Sequence, residues 1–453
     1  IEKVIELVDT QRVLFVEIRS HMRGIKDLRK SVERCIEGGV LSLVEFFEIK
    51  NLIGTMRSIS DSQSSLHWKV PDKYKINILY EVEKLLDPDN TQLKTFYIYD
   101  CYSKKLKEIR QSKAKIEKEL ELIKIDKRKE IEAETGIEMR STGEITISRK
   151  EIPIIKKLLD YPKLQVSSET YINITFKIRP DEEMTKLIKE IEEIKEQEVL
   201  EEMKVLEELS GKLAKQGKDI LDNMDSIGHF DLLISKAYFA NAIKGTKPII
   251  SDELKCKIKN GRHSVVEAGL RKKGKAFTPI SVDLKEGVAI ITGANMGGKT
   301  VSLKMVGLLM IMMQYGLFVP AEHMEASLLD FVFISAGDEQ SLDSGLSTFG
   351  SEMQSMKEVL FMTHMQGMIL IDELARGTNP REGFAISSGI IKYLTKKSCI
   401  TLITTHFDGL IKEGIKHLQV KGLRNVDYDK VGHPEIISEY MDYSLIEINE
   451  DVH

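Results

Sequence analysis

The chain has 453 residues, 42% apolar and 30% charged, with one Trp, ten Pro and a net charge of −5. That length suggests two to four domains, and the composition fits a soluble protein rich in exposed helix. The acidic balance excludes a global basic signal for nucleic acid, so any such binding must use a local patch.

No apolar run reaches the roughly 18 residues that span a bilayer, and no signal peptide is present. The first residue is Ile1 rather than Met, which suits a fragment or a processed product. Cys35, Cys101, Cys256 and Cys399 form no C-x-x-C pair and keep no histidine cluster. Structural zinc and a disulfide framework are therefore disfavoured, and reduced, buried thiols in the cytoplasm are expected.

Residues 1 to about 100 read as helical, with apolar positions at three and four spacing and breaks at Gly38-Gly39 and Pro71-Asp72. No catalytic constellation stands out there. From Tyr102 a heptad seam begins: Tyr102, Leu106, Ile109, Lys113, Ile116, Leu120 and Ile123. A second long helix, about 181–211, carries Met184, Leu187, Ile188, Ile191 and Ile194 on one face. Two such helices can pack antiparallel as a stalk. Between them, about 136–180, the alternation in Glu144–Ser148 and Tyr171–Phe176 predicts strands, so the stalk carries a small β-containing tip. The tip is mildly basic: Arg140, Arg149, Lys150, Lys156, Lys157, Lys163, Lys177 and Arg179 oppose Glu138, Glu144, Glu151, Asp160 and Glu169. A further helix, about 212–242, leads to the last domain. From Pro248, frequent Gly and short apolar runs predict an α/β domain. The expected division is a helical domain at 1–100, a stalk with its tip at 101–245, and the α/β domain at 246–453.

The strongest motif is Gly293-Ala294-Asn295-Met296-Gly297-Gly298-Lys299-Thr300, a full G-x-x-x-x-G-K-[ST] match. A buried-strand run, Val288–Thr292, precedes it and an apolar helix from Val301 to about Gln314 follows, which is the setting a P-loop requires. Glycines let backbone N–H groups face phosphate oxygens at a helix N-terminus. Lys299 is expected to reach the β- and γ-phosphates of ATP, and the Thr300 hydroxyl to coordinate Mg²⁺. Next, Met368-Ile369-Leu370-Ile371-Asp372-Glu373 is a strand ending in two carboxylates, at the end where open α/β sheets bind ligands. Asp372 is expected to hold Mg²⁺ through water and Glu373 to orient or deprotonate the attacking water. Leu402–His406 is again an apolar run with a polar end. His406 is expected to donate to the γ-phosphate, although a lone histidine is more often structural. The polar stretch Gly337–Gly350 reads on composition as a loop. The methionines after the P-loop, Met305, Met310, Met312 and Met313, read as core filler.

These motifs together resemble the MutS family. The P-loop is similar to G-P-N-M-G-G-K-[ST], with Ala294 in place of Pro. Ser347-Thr348-Phe349 with Glu352 resembles S-T-F-x-x-E, and Asp372–Thr378 resembles D-E-[IL]-G-R-G-T. Thr404-Thr405-His406-Phe407 resembles A-T-H-[YF], while Tyr315–Ala321 and Gly261-Arg262-His263 match flanking stretches. The resemblance covers about 261–407 by motif, and the lever and clamp upstream only by pattern. It implies an α/β P-loop NTPase domain of the ABC type, preceded by a mainly α-helical lever and stalk with a small β-containing clamp tip. It also implies a homodimer of ATPase domains in which Ser347 contacts the partner's γ-phosphate, and Phe277 at the adenine-stacking position. The chain shows no Phe-x-Glu wedge in a suitable β context, so direct mismatch reading is not expected of it.

The leading expectation is an ATP-gated clamp whose basic tip touches DNA phosphates. The alternative, from relatives that lack a mismatch domain, is a chaperone-like ATPase serving a protein client such as an adenosylcobalamin-dependent aminomutase. A coiled-coil protein with a dead nucleotide site is countered by the intact Lys299, Asp372 and Glu373.

Overall fold

The computed structural model describes residues 1–90, 95–294, 297–335, 348–375, 378–407, 409–423 and 441–448. Two compact units divide the chain: Gln11–Asp231, and Ile1–Thr10 with Leu232–His453. Helix α1 (Glu2–Thr10) belongs to the latter.

The Gln11–Asp231 unit opens with α2 (Arg12–Met22), α3 (Arg29–Ile36), α4 (Leu43–Ser64) and α5 (Tyr80–Leu86). The breaks expected at Gly38-Gly39 and Pro71 fall between helices. Helix α4 starts with a capping box, in which the Glu45 N–H donates to Ser42 Oγ and the Ser42 N–H to Glu45 Oε2. Two amides that helix geometry leaves without partners are thereby satisfied.

Helix α6 (Lys104–Thr135) precedes β1 (Glu144–Ser148), α7 (Ile152–Leu159), β2 (Leu164–Glu169), β3 (Asn173–Ile178) and α8 (Glu182–Ala214). The six seam positions within α6, Leu106 to Ile123, are buried or half-buried, as the heptad predicts, and Tyr102 lies half-buried just before the helix. The α6–α8 ion pairs run Lys113–Glu198, then Lys127–Asp181, so position numbers rise on one helix as they fall on the other. The two helices are therefore antiparallel. At their foot Arg110 joins Asp100, Glu198 and Glu202.

The tip holds more than the strands read from sequence. Its sheet has the order β1-β3-β2, and α7 covers it over a core of Ile145, Ile155, Leu158, Leu164, Ile174 and Phe176. The strand expected at Tyr171–Phe176 starts instead at Asn173, because Tyr171 and Ile172 form the exposed turn between β2 and β3. Strand β2 and helix α7 escaped the sequence reading.

Helix α9 (Gly217–Ile243) supplies Asn223, which is buried. Its Oδ1 accepts from the Asn77 N–H at 2.9 Å and its Nδ2 donates to the Asn77 carbonyl at 2.8 Å. One amide thus replaces a backbone partner for an irregular segment. Asn223→Leu leaves both groups without a partner and is expected to destabilise this unit by about 2–3 kcal/mol, read as a loss in chemical-denaturation midpoint.

The second unit contains β4 (Ile249–Ser251), β5 (Lys255–Gly261), α10 (Ser264–Lys272), β6 (Ile280–Lys285), β7 (Gly287–Thr292), α11 (Lys299–Gln314), β8 (His323–Ser327) and β9 (Phe331–Ser335). It continues with α12 (Thr348–Met362), β10 (Gly367–Asp372), α13 (Pro380–Leu394), β11 (Cys399–Thr404), β12 (Lys416–Leu423) and β13 (Met441–Glu447). A six-stranded sheet has the order β13-β12-β7-β11-β10-β9, parallel except for β13. A four-stranded sheet has the order β4-β8-β5-β6.

Residues in β7 and β10 alternate between two cores, as the two-residue period of a strand requires. Ala289, Ile291, Met368 and Leu370 meet α11 and the four-stranded sheet. Val288, Ile290, Ile369 and Ile371 meet α12 and α13. Met305, Met310, Met312 and Met313 lie in the first core, as the filler reading expects. All four cysteines are free, but Cys101 is exposed, against the expectation of four buried thiols. It follows Asp100 in the turn before α6, where no core covers it.

Candidate nucleotide site

Strand β11 lies between β7 and β10, with Thr404 opposite Asp372 on one side and Ile291 on the other. The three motifs, distant in sequence, thus leave the C-terminal ends of three adjacent parallel strands. In open α/β sheets that edge is the ligand-binding edge.

After β7 the chain turns through Gly293 (φ 132) and Gly298 (φ 85) into α11. Both angles are strained for any residue with a Cβ. A Cβ on Gly297 would lie 2.8 Å from the Ala294 carbonyl oxygen, so the loop closes only around glycine. Val420 of β12 backs Gly293, and the Tyr443 ring of β13 lies against Gly298. Lys299 is 5% exposed, and its Nζ donates to the carbonyls of Gly293 (2.7 Å) and Ala294 (3.4 Å). Burial pulls its ammonium below lysine's usual pKa, while Glu373 and Asp372 pull it the other way.

Thr300 Oγ1 meets the Asp372 carboxylate at 2.8 and 3.1 Å. Thr404 Oγ1 donates to the same carboxylate at 2.5 Å. Glu373 Oε1 meets His406 Nε2, whose Nδ1 lies 3.5 Å from Lys299 Nζ. Lysine has only donors, so Nδ1 accepts and Nε2–H donates to Glu373. Glu373 (φ 57) and Ala375 (φ 62) both adopt the left-handed backbone, which costs non-glycine residues about 1–2 kcal/mol each. Strain of this kind persists where the surroundings over-determine it, and it clusters at functional sites.

The site therefore brings together Lys299, Thr300, Asp372, Glu373 and His406. Phe277 is half-buried and packs against the core beside α11. Asn295, Met296 and Ser347 lie outside the described residues, as do Arg376, Gly377 and Gly337–Ser347 of the polar loop. Sequence reading gave Thr404 no role of its own, counting it only within an apolar run and the stretch that resembles A-T-H-[YF]. It also missed His417 of β12, whose Nε2 meets Thr292 Oγ1 at 2.8 Å beneath the loop and whose pKa burial lowers.

The donor set suits Mg²⁺: one hydroxyl and one carboxylate, both hard oxygens, beside the Lys299 ammonium. Among the described residues, no cluster of three His, Cys, Asp or Glu forms a self-sufficient metal cage. Mg²⁺ commonly takes only one or two protein ligands and completes its shell with phosphate and water.

Strand, glycine turn and helix, with an acidic strand end beside them, define the class as a P-loop domain of the ATPase type. Residues 289–439 match the MutS domain V family. The chain is 30% identical over 424 residues to Endonuclease MutS2 of Geobacillus sp. (strain WCH70), covering 88% of this chain and 51% of that one. It is 30% identical over 423 residues to Endonuclease MutS2 of Caldanaerobacter subterraneus subsp. tengcongensis, covering 90% and 51%. The Bacillus cereus (strain Q1) Endonuclease MutS2 is 27% identical over 442 residues, covering 92% and 54%. These matches support a member of the MutS family. It spans about half the length of these relatives. None of these comparisons supports the reading as an aminomutase partner. Among the described residues, no helix is long and apolar enough to cross a membrane.

Proposed function

We propose that the chain is an ATP hydrolase, working in the cytoplasm, that couples ATP binding and turnover to clamp-like DNA binding. The observation that carries the proposal is the meeting of Lys299, Thr300, Asp372, Glu373 and His406 at the ends of three adjacent strands. Backbone N–H groups of the glycine turn and Lys299 hold the phosphates. Thr300 and Asp372 hold Mg²⁺, which when bound neutralises phosphate charge. Glu373 accepts a proton from the attacking water or orients it, and His406 donates its Nε2–H to the γ-phosphate once nucleotide draws it from Glu373. In the proposed homodimer Ser347 reaches the partner's γ-phosphate, and Asn295, Met296 and Phe277 complete the nucleotide site. The division into a helical domain (1–100), a stalk with its clamp tip (101–245) and the P-loop domain (246–453) belongs to the same proposal.

For DNA the support is a charge set on the tip. Arg149 is paired with Glu169, and Lys163 with Glu130 and Glu134. Arg140, Lys150, Lys156, Lys177 and Arg179 are exposed, and they suit phosphate contacts without base reading. The test is steady-state ATP hydrolysis alone and with duplex, mismatched or branched DNA at two salt concentrations. Contacts to about five phosphates would cost about 10²–10³-fold in DNA affinity on a roughly fourfold rise in salt, so DNA stimulation should fade. Hydrolysis indifferent to every DNA would sink the clamp reading and leave the hydrolase standing.

A further inference from the structure

We infer that Thr404 and Glu352 are positioning residues that clamp the turn carrying Glu373 in its left-handed conformation. The inference rests on the hydrolase reading of the site.

The turn after β10 is buried: Leu374 and Ala375 are inside the fold, so their backbone groups need partners within the protein. Three elements supply them. From β11, Thr404 accepts the Glu373 N–H twice, at its carbonyl and at its hydroxyl, each at 3.1 Å. From α13, Ser387 Oγ donates to the Leu374 carbonyl at 3.3 Å. From α12, Glu352 Oε1 accepts the Ala375 N–H at 2.7 Å. The two N–H groups so held belong to the two residues with positive φ, Glu373 and Ala375. Without these acceptors nothing in a non-glycine turn favours that conformation.

Thr404 also links the turn to the metal-side carboxylate. Its one proton goes to Asp372 Oδ1 at 2.5 Å while its oxygen accepts from Glu373. One fully buried hydroxyl thus fixes the spacing of the two acidic residues. In the family pattern A-T-H-[YF] the first position is Ala, which keeps the carbonyl and lacks the hydroxyl. Glu352 is half-buried, and burial raises its pKa while the Ala375 N–H opposes that. An amide oxygen at this place would serve the same acceptor role without any charge.

The test compares Thr404→Val and Glu352→Ala with the conservative Thr404→Ser and Glu352→Gln in the full chain. Thr404→Val and Glu352→Ala should each lower kcat by about 10–100-fold, since a misplacement of about 1 Å can cost about 10²-fold. ATP affinity should stay within about threefold of the unaltered chain. Thr404→Ser and Glu352→Gln should turn over within about threefold of it. Full turnover by Thr404→Val and Glu352→Ala, or equal losses in the conservative pair, would overturn the clamp. Amide exchange across 373–375, without nucleotide, reads the clamp independently of chemistry. It should quicken about tenfold in the Thr404→Val, Glu352→Ala double variant while β10 stays protected, and unchanged exchange refutes the clamp. If the unaltered chain hydrolyses nothing but exchange still responds, the hydrolase reading fails and the clamp survives.

Discussion

Lys299→Met is expected to lower ATP affinity by about 100-fold or more, with folding intact. The side chain is almost fully buried, yet its ammonium rests on two neutral carbonyl oxygens rather than on a carboxylate. A charge taken out of water and left with neutral acceptors is under-compensated, and burial already pulls its pKa down. A triphosphate supplies the missing negative charge at that position. Charge-assisted hydrogen bonds are worth about 1.5–3 kcal/mol each, and a loss of about 3 kcal/mol is about 10²-fold in affinity. Methionine keeps the length and apolar body of the side chain, so the core around α11 should hold. Calorimetric titration with ATP, beside a thermal melt, checks both halves. Binding at the affinity of the unaltered chain would remove Lys299 from the phosphate site.

Where local spacing decides structure, the sequence is legible. The heptad positions from Leu106 to Ile123 depend on spacing within one helix and fall in α6, and the strand before and the helix after the G-x-x-x-x-G-K-T motif appear where read. The same holds for β1, whose alternation matches its bounds of Glu144–Ser148. Elements set by partners further away were not legible. Strand β2 has four exposed positions in a row, Val166–Glu169, and becomes a strand only because β3 pairs with it. Helix α7 opens on Ile152-Pro153 and takes its inward face from the tip core. Within the site, the chemistry-bearing residues were readable as motif positions, but the side chains that hold them were not. The Thr404 hydroxyl acts because β11 lies beside β10 in register, and Glu352 because α12 passes the turn. Neither fact is written in local sequence.

Glu373→Gln is expected to cut ATP turnover by about 10²–10⁴-fold, the range over which a positioned acid–base group acts, while ATP affinity stays near that of the unaltered chain. Glutamine is the sharper substitution here because it keeps the Oε1 acceptor that His406 Nε2–H engages and the backbone that Thr404 holds. Only basicity is lost. Glu373→Ala removes the His406 partner as well, so it tests two things at once. The contrast with His406→Ala then assigns the roles. If Glu373 handles the water's proton and His406 meets the γ-phosphate, His406→Ala should cost less than Glu373→Gln in kcat and more in the affinity difference between ATP and ADP. Single-turnover hydrolysis paired with ATP and ADP titrations separates these terms. Full turnover by Glu373→Gln would mean that the water is activated elsewhere at the strand ends. Among the described residues of the site, Asp372 and His406 are the titratable groups left to do it, since the Lys299 ammonium can only donate.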